Sequence, residues 1–193
     1  MRMFIWVEGP DDSRFVESTL KVAAASHYDD IRVVQYSRLR KDKVDQYITA
    51  IRAMKTADYL FLGDMDLRAS IEEAKQALLM KFKALEGSKI VIVGSEIESW
   101  YLAGLDQELA RTHGLNIPLR TDNVSKEQFN TLIPSSFSSR IDWMIEILAR
   151  FSVYSARSRN STFEHFASDQ MCGIVSCLPS CCATLPLDNC PHC

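Results

Sequence analysis

The chain has 193 residues, 47% of them hydrophobic and 24% charged, with a net charge of −3. That balance suits a soluble globular protein and argues against the strongly basic surface of a typical nucleic-acid-binding domain, although acids that hold a metal count against the total and are neutralised in the working protein. No stretch approaches the ~18 consecutive apolar residues of a membrane span. The apolar start, residues 1–7, runs at once into Glu8, Asp11 and Asp12, unlike a secretory signal, so a cytoplasmic location with no membrane partner is expected.

The first hundred residues alternate strand-like and helix-like patterns. Residues 4–7, Phe-Ile-Trp-Val, form a buried-strand run, and residues 11–25 follow with helical spacing at Phe15, Val16, Leu20 and Val22. A second strand is expected over 31–36 and a helix over 44–54. Then come a strand over 59–62, a helix over 70–85, a strand over 89–93 and the start of a helix over 96–102. This βαβα order predicts an α/β fold, a parallel sheet of about four strands flanked by helices. After Leu105 strand signals disappear. Residues 125–132 and 139–151 read as helices, the second with an apolar face at Ile141, Met144, Ile145 and Leu148. Ser161-Thr162-Phe163-Glu164 has the pattern of a capping box opening one more short helix. The expected organisation is an α/β domain over 1–105, a helical C-terminal extension over 106–171 that packs on it or forms a lid, and a Cys-rich tail over 172–193.

Three acidic clusters each follow an apolar run: Glu8, then Asp64 and Asp66, then Glu96 and Glu98. Parallel strands would gather them at the carboxyl edge of the sheet, where ligands of open α/β sheets bind. A knot of carboxylates needs a counter-ion, and magnesium, an oxygen-seeking cation, is the first reading. Each acid alone has a plainer role. Ser95-Glu96-Ile97-Glu98 fits a capping box, Asp11 and Asp12 fit a helix N-terminus, and Asp64 and Asp66 fit a turn.

The segments Val7-Glu8-Gly9-Pro10-Asp11-Asp12 and Asp64-Met65-Asp66, taken in order with Glu96-Ile97-Glu98-Ser99-Trp100-Tyr101-Leu102-Ala103, resemble the Toprim (topoisomerase–primase) domain, in particular its small standalone members. The resemblance covers roughly residues 2–105. It implies that Glu8 is the general acid/base or an additional ligand, that Asp64 and Asp66 hold Mg2+ or Mn2+, and that Glu98 or Glu96 completes the site. Asp12 matches the acid found a few places after the glutamate. Toprim members break, join or make phosphodiester bonds. This chain has no room for a topoisomerase's or a primase's accessory domains, so the expected activity is that of a small metal-dependent nuclease acting on DNA or RNA, in phage defence or RNA processing. The alternative is a non-catalytic module that binds nucleic acid or a partner ATPase. Leu67-Arg68-Ala69-Ser70 after the second motif departs from the branches that carry a glycine there.

A receiver-like phosphoacceptor switch is a competing reading, with Asp11/Asp12, Asp64 and Ser95 in place, but no lysine after a fifth strand is found. Neither a G-x-G-x-x-G turn nor a Walker A sequence occurs. The densest basic cluster, Arg38, Arg40, Lys41 and Lys43, follows the second strand and would open at the same edge as the acids, where it can hold a phosphate backbone or simply be solvated. Arg140, Arg150, Arg157 and Arg159, with Tyr154, offer a second basic set, a weaker one because their spacing places them on no single face. Trp100 and Tyr101 read as core. All six cysteines lie at or after Cys172; Cys190 and Cys193 in C-x-x-C spacing, with Cys177 and Cys181, have the residues for a structural Zn2+ site.

Overall fold

A computed structural model describes residues 1–25 and 27–171. Four strands form one parallel sheet: β1 (Arg2–Val7), β2 (Asp30–Gln35), β3 (Ala57–Asp64) and β4 (Ile90–Val93), in the order β2-β1-β3-β4. The register pairs Ile5 with Val33 and with Leu60, and Gly63 with Ile92. Alternate side chains of a strand point to opposite faces, and both faces here are covered. Such strands read as continuous apolar runs.

One face carries Trp6, Tyr59, Phe61, Ile90 and Ile92 and packs against α3 (Lys41–Ala53) and α4 (Ile71–Lys81) through Val44, Ile48, Ile51 and Ala74. The other face, with Met3, Ile5, Val7, Leu60, Leu62, Val91 and Val93, shares a single core with α1 (Pro10–Ser18), α2 (Leu20–Ala24) and α5 (Glu98–Ala103). The later helices belong to that same core: α6 (Gln107–Thr112), α7 (Lys126–Thr131), α8 (Arg140–Ala149), α9 (Val153–Arg159) and α10 (Ser161–Phe166). The extension therefore packs on the sheet. Gly104 shows how closely, because a Cβ there would lie 2.1 Å from the Phe151 ring, while its carbonyl accepts the Ser152 amide at 2.9 Å. Burying an aromatic side chain contributes roughly 1.5–3 kcal/mol, and all three tryptophans, Trp6, Trp100 and Trp143, are fully buried.

Several expected elements differ. The helix over 11–25 is two, broken at Thr19, whose hydroxyl donates to the Phe15 carbonyl at 2.6 Å and so competes with the helical ladder. The helix expected over 70–85 ends at Lys81, because Phe82 turns extended to enter the core. Ser95 and Glu98 form no capping box; Ser95 sits at φ 58, and α5 begins after Ile97 with no side-chain cap. The last helix is capped by Asn160 rather than through Ser161. On α8 the buried residues are Trp143, Met144 and Ile147, while Ile141 and Ile145 are exposed, so the buried stripe is rotated from the expected one. Two short helices, α6 and α9, were not expected. Among the described residues no helix is long and apolar enough to cross a membrane. Cys177, Cys181, Cys190 and Cys193 lie outside the described residues.

Candidate functional site at the carboxyl edge of the sheet

Glu8 is the first residue after β1. Its backbone carbonyl accepts a hydrogen bond from Ser37 Oγ, and its Oε2 accepts from the Tyr36 hydroxyl at 3.1 Å. Tyr36 is buried and stacked on Phe61, with ring centroids 4.5 Å apart. Burial, then the charges of Glu8 and Asp64, push its phenol far up, so it is a neutral donor to Glu8. The loop is fastened to β2 a second time: Gln35 Nε2 donates to Ser13 Oγ at 2.8 Å, and Ser13 Oγ to the Gly9 carbonyl at 3.0 Å. Asp12, in the first turn of α1, accepts the Gly9 amide at 3.0 Å. A carboxylate at a helix start is ordinary, but this one is 7% exposed. Burial, reinforced by Glu8 and Glu98 against the Gly9 hydrogen bond, pushes its carboxyl up to about 6.

Asp64 closes β3. Beyond it the pairing with β4 persists into the loops, as the Met65 amide reaches the Val93 carbonyl at 2.9 Å and the Asp66 amide the Ser95 carbonyl at 3.2 Å. Asp66 and Ser95 both have positive φ, 50° and 58°. For Ser95 this is uncommon backbone, of the kind that persists only where the surroundings impose it. The turn at Asp66 takes its side chain out of the strand's alternation, exposed and paired with Arg68 at 2.7 Å. Asp64 has no such partner. Its Oδ1 is buried without a hydrogen bond, and burial followed by the charges of Asp12, Glu8, Asp66 and Glu98 raises its carboxyl well above the ordinary range. The charges of acids that follow three different strands thus act on Asp64.

The structure separates Glu96 from Glu98. Glu96 Oε2 accepts the Lys126 amide at 2.6 Å, capping α7. Glu98 is 3% exposed, and burial raises its carboxyl despite the neighbouring cation of Arg140. The loop that carries both is held by a closed polar network. Thr162 Oγ1 accepts from the Gly94 amide and from Trp100 Nε1, each at 2.9 Å, and donates to Asn160 Oδ1 at 2.8 Å. Ser99 Oγ donates to the Gly94 carbonyl at 2.6 Å. Each buried hydroxyl and indole in this network has its partner, which makes the loop rigid.

Arg140, at the start of α8, is a residue of the acidic site that the sequence reading did not assign to it. Its guanidinium forks, donating to Asp11 Oδ2 at 2.5 Å and to Glu98 Oε1, beside the Phe129 ring. Asp11 is held again by Arg14 at 2.6 Å; although burial works against them, the two cations keep its carboxyl below the ordinary range. Nor do the other arginines of that set form a basic surface with Arg140. Arg159 donates to the carbonyls of Ala103 and Leu105, Arg157 pairs with Glu164, and Arg150 pairs with Glu146. The spacing of Arg140 from Trp143, Met144 and Ile147 was the available signal, since i, i+3, i+4 and i+7 share a helix face.

The basic loop lies beside Glu8 through the Ser37 contact. Within it Arg40 pairs with Asp42 at 3.1 Å and Lys43 donates to Gln46 at 3.0 Å, while Arg38 and Lys41 are exposed without an ion pair among the described residues. No group of three or more His, Cys, Asp or Glu among the described residues is spaced to hold an ion as it stands. Magnesium asks for one or two carboxylates and completes its shell with water and substrate phosphate. The orphaned Asp64 oxygen and the excess of carboxylate around it fit such a cation. No family model, curated protein or solved structure matches the chain significantly.

Proposed function

We propose that the carboxyl edge of the sheet is the active site of a Toprim-like, Mg2+- or Mn2+-dependent nuclease that hydrolyses phosphodiester bonds in DNA or RNA. The observation that carries this reading is Asp64, with a buried, unpartnered oxygen among four other acids. Side chains in that state are stable as anions only beside a cation. Asp64, Asp66 and Glu98 would hold it, with Asp12 behind them. When bound, the ion would neutralise this charge and polarise a phosphoryl oxygen. Glu8, exposed and steadied through one oxygen by Tyr36, would take the proton of the attacking water with the other. Arg38 and Lys41 supply the free positive charge that a phosphate backbone needs next to Glu8. Phage defence and RNA processing are the settings in which such a nuclease would act.

The test is a cleavage panel of supercoiled plasmid, single-stranded DNA and tRNA, with Mg2+, Mn2+ or EDTA. Cleavage is expected with either metal and not with EDTA. Glu8→Gln and Asp64→Asn are each expected to lower it on the order of 10²–10⁴-fold while the protein still folds. Cleavage surviving in the double variant would sink the assignment.

The fork of Arg140 onto Glu98 favours a second reading, a non-catalytic module of the same fold that binds nucleic acid or a partner ATPase. Metal-independent binding to the same substrates without any cleavage would select it. A receiver-like switch needs a lysine beyond a fifth strand, and the described residues form four.

A further inference from the structure

Among the described residues Arg140 is the one cation of the helical extension paired with these carboxylates, and nothing about its own helix asks for it. A positive side chain in the first turn of a helix opposes the macrodipole. Its side chain is 21% exposed, and its Nε is buried without a hydrogen-bond partner. The acids therefore hold it there. Guanidinium does not lose its proton in proteins, so this positive charge stays at the site at every working pH.

The two acids are not held alike. Asp11 has a second guanidinium, Arg14, at 2.6 Å, and its backbone carbonyl accepts the Tyr101 hydroxyl at 2.9 Å. The only cation paired with Glu98 among the described residues is Arg140. Loss of the Arg140–Glu98 contact leaves Arg140 still anchored on Asp11 by its other nitrogen. Without Arg140, Asp11 still has Arg14, whereas Glu98 has no other paired cation among the described residues, so it is the acid a divalent cation would have to neutralise in its place. The exchangeable contact is the one to Glu98, which, unlike Asp11, acts with Glu8 on both Asp64 and Asp12.

We propose that Arg140 is a built-in competitor of the divalent cation at Glu98, holding that carboxylate in the metal-free protein and releasing it when the ion is bound, so that it sets how tightly the site takes free metal. The proposal rests on the divalent-cation reading above and concerns its regulation. A fixed positive charge against a ligand both repels the incoming ion and occupies the oxygen it needs. The site is thereby kept folded and partly neutralised without metal, at the cost of affinity.

The test is direct Mn2+ binding to the full chain, read from the free-Mn2+ electron paramagnetic resonance signal, with no turnover involved. Arg140→Gln is expected to bind Mn2+ about ten-fold tighter than the unaltered protein, within the usual span of coupling between sites, and the gain is expected to vanish in a Glu98→Gln background. Arg140→Lys keeps the charge but cannot span two carboxylates. It stands in where Arg140→Gln does not fold, with a smaller gain in the same direction. Unchanged or weaker binding in these variants, beside measurable binding to the unaltered protein, overturns the competition and leaves the metal reading intact. A gain that persists without Glu98 also overturns it. Absence of Mn2+ binding in every variant brings down the metal reading and this inference with it.

Discussion

The two ends of the same sheet treat charge in opposite ways. At the amino end most acids have a neighbour of opposite sign: Lys89 meets Asp58 at 2.7 Å, Arg52 meets Glu86 at 3.1 Å, Arg32 meets Asp30 at 2.8 Å, and the terminal amine meets Asp29. At the carboxyl end Glu8, Asp12 and Asp64 have no cation paired with them among the described residues, and the carboxyls of Asp12 and Asp64 are raised by burial and by one another. Helix capping and turn formation explain individual acids, but they apply equally to both ends. The accumulation at one end only is a property of the site, maintained against its own repulsion.

The widest contrast is expected from one substitution made at each end. Asp64→Asn removes a buried charge with no partner, so it should abolish cleavage, on the order of 10²–10⁴-fold, and leave thermal stability at pH 7 equal or higher. Asp58→Asn removes a paired charge far from the acids. It should leave cleavage within about two-fold, and its stability change should stay within about 1 kcal/mol of zero. Cleavage assays and thermal melts of the two variants side by side check this. Equal losses of cleavage at both ends would erase the distinction.

A smaller effect follows from Asp12. Its carboxyl is raised from about 3.8 to about 6 in the folded protein, so between those values the native state binds the proton that the unfolded state has lost. The contribution of Asp12 to stability is then greatest below about pH 4, declines as pH rises through about 6, and stays lower above it. The decline is on the order of 2–3 kcal/mol, because each pKa unit is worth about 1.4 kcal/mol. Asp12→Asn keeps an oxygen for the Gly9 amide and removes the charge. It should stabilise the metal-free protein at pH 7 by that order, with the gain vanishing at pH 4. Urea unfolding at pH 4, 5, 6 and 7 in EDTA measures it. A gain independent of pH would mean that Asp12 is not strained by its neighbours.

The sheet was readable in the sequence because its strands are buried on both faces, which makes Phe-Ile-Trp-Val or Ile-Val-Ile-Val unmistakable, and because parallel strands place whatever follows them at one edge. The positions of Glu8, Asp64 and Glu98 followed from that alone. Arg140 was not readable in the same way. An arginine opening a helix looks solvated, and Ile141 and Ile145 offered an apolar face that competed with the true stripe of Trp143, Met144 and Ile147. Choosing between the two stripes needs the shape of the core they enter. The role of Glu96 was hidden for a similar reason, since the amide it caps belongs to Lys126, thirty residues on. The helices α6 and α9, six and seven residues long, are too short to hold without tertiary contacts and carry little periodic signal of their own.

The smallest expected effect is at the amino end, and its smallness is informative. Lys89 and Asp58 are each about 31% exposed, so water screens their attraction and competes for both groups. Lys89→Met should cost roughly 0.2–1 kcal/mol, and less at 1 M salt, where screening acts within a few ångströms. Because no carboxylate of the site faces this pair, the cost should be the same with and without Mg2+. At the other end, Mg2+ should stabilise the unaltered protein by relieving the repulsion around Asp64 and stabilise Asp64→Asn much less. Denaturant unfolding of both variants across a Mg2+ titration measures the difference. A Lys89→Met cost that varied with Mg2+ would place the cation's influence at both ends of the sheet, and the carboxyl edge would lose its claim to be a separate site.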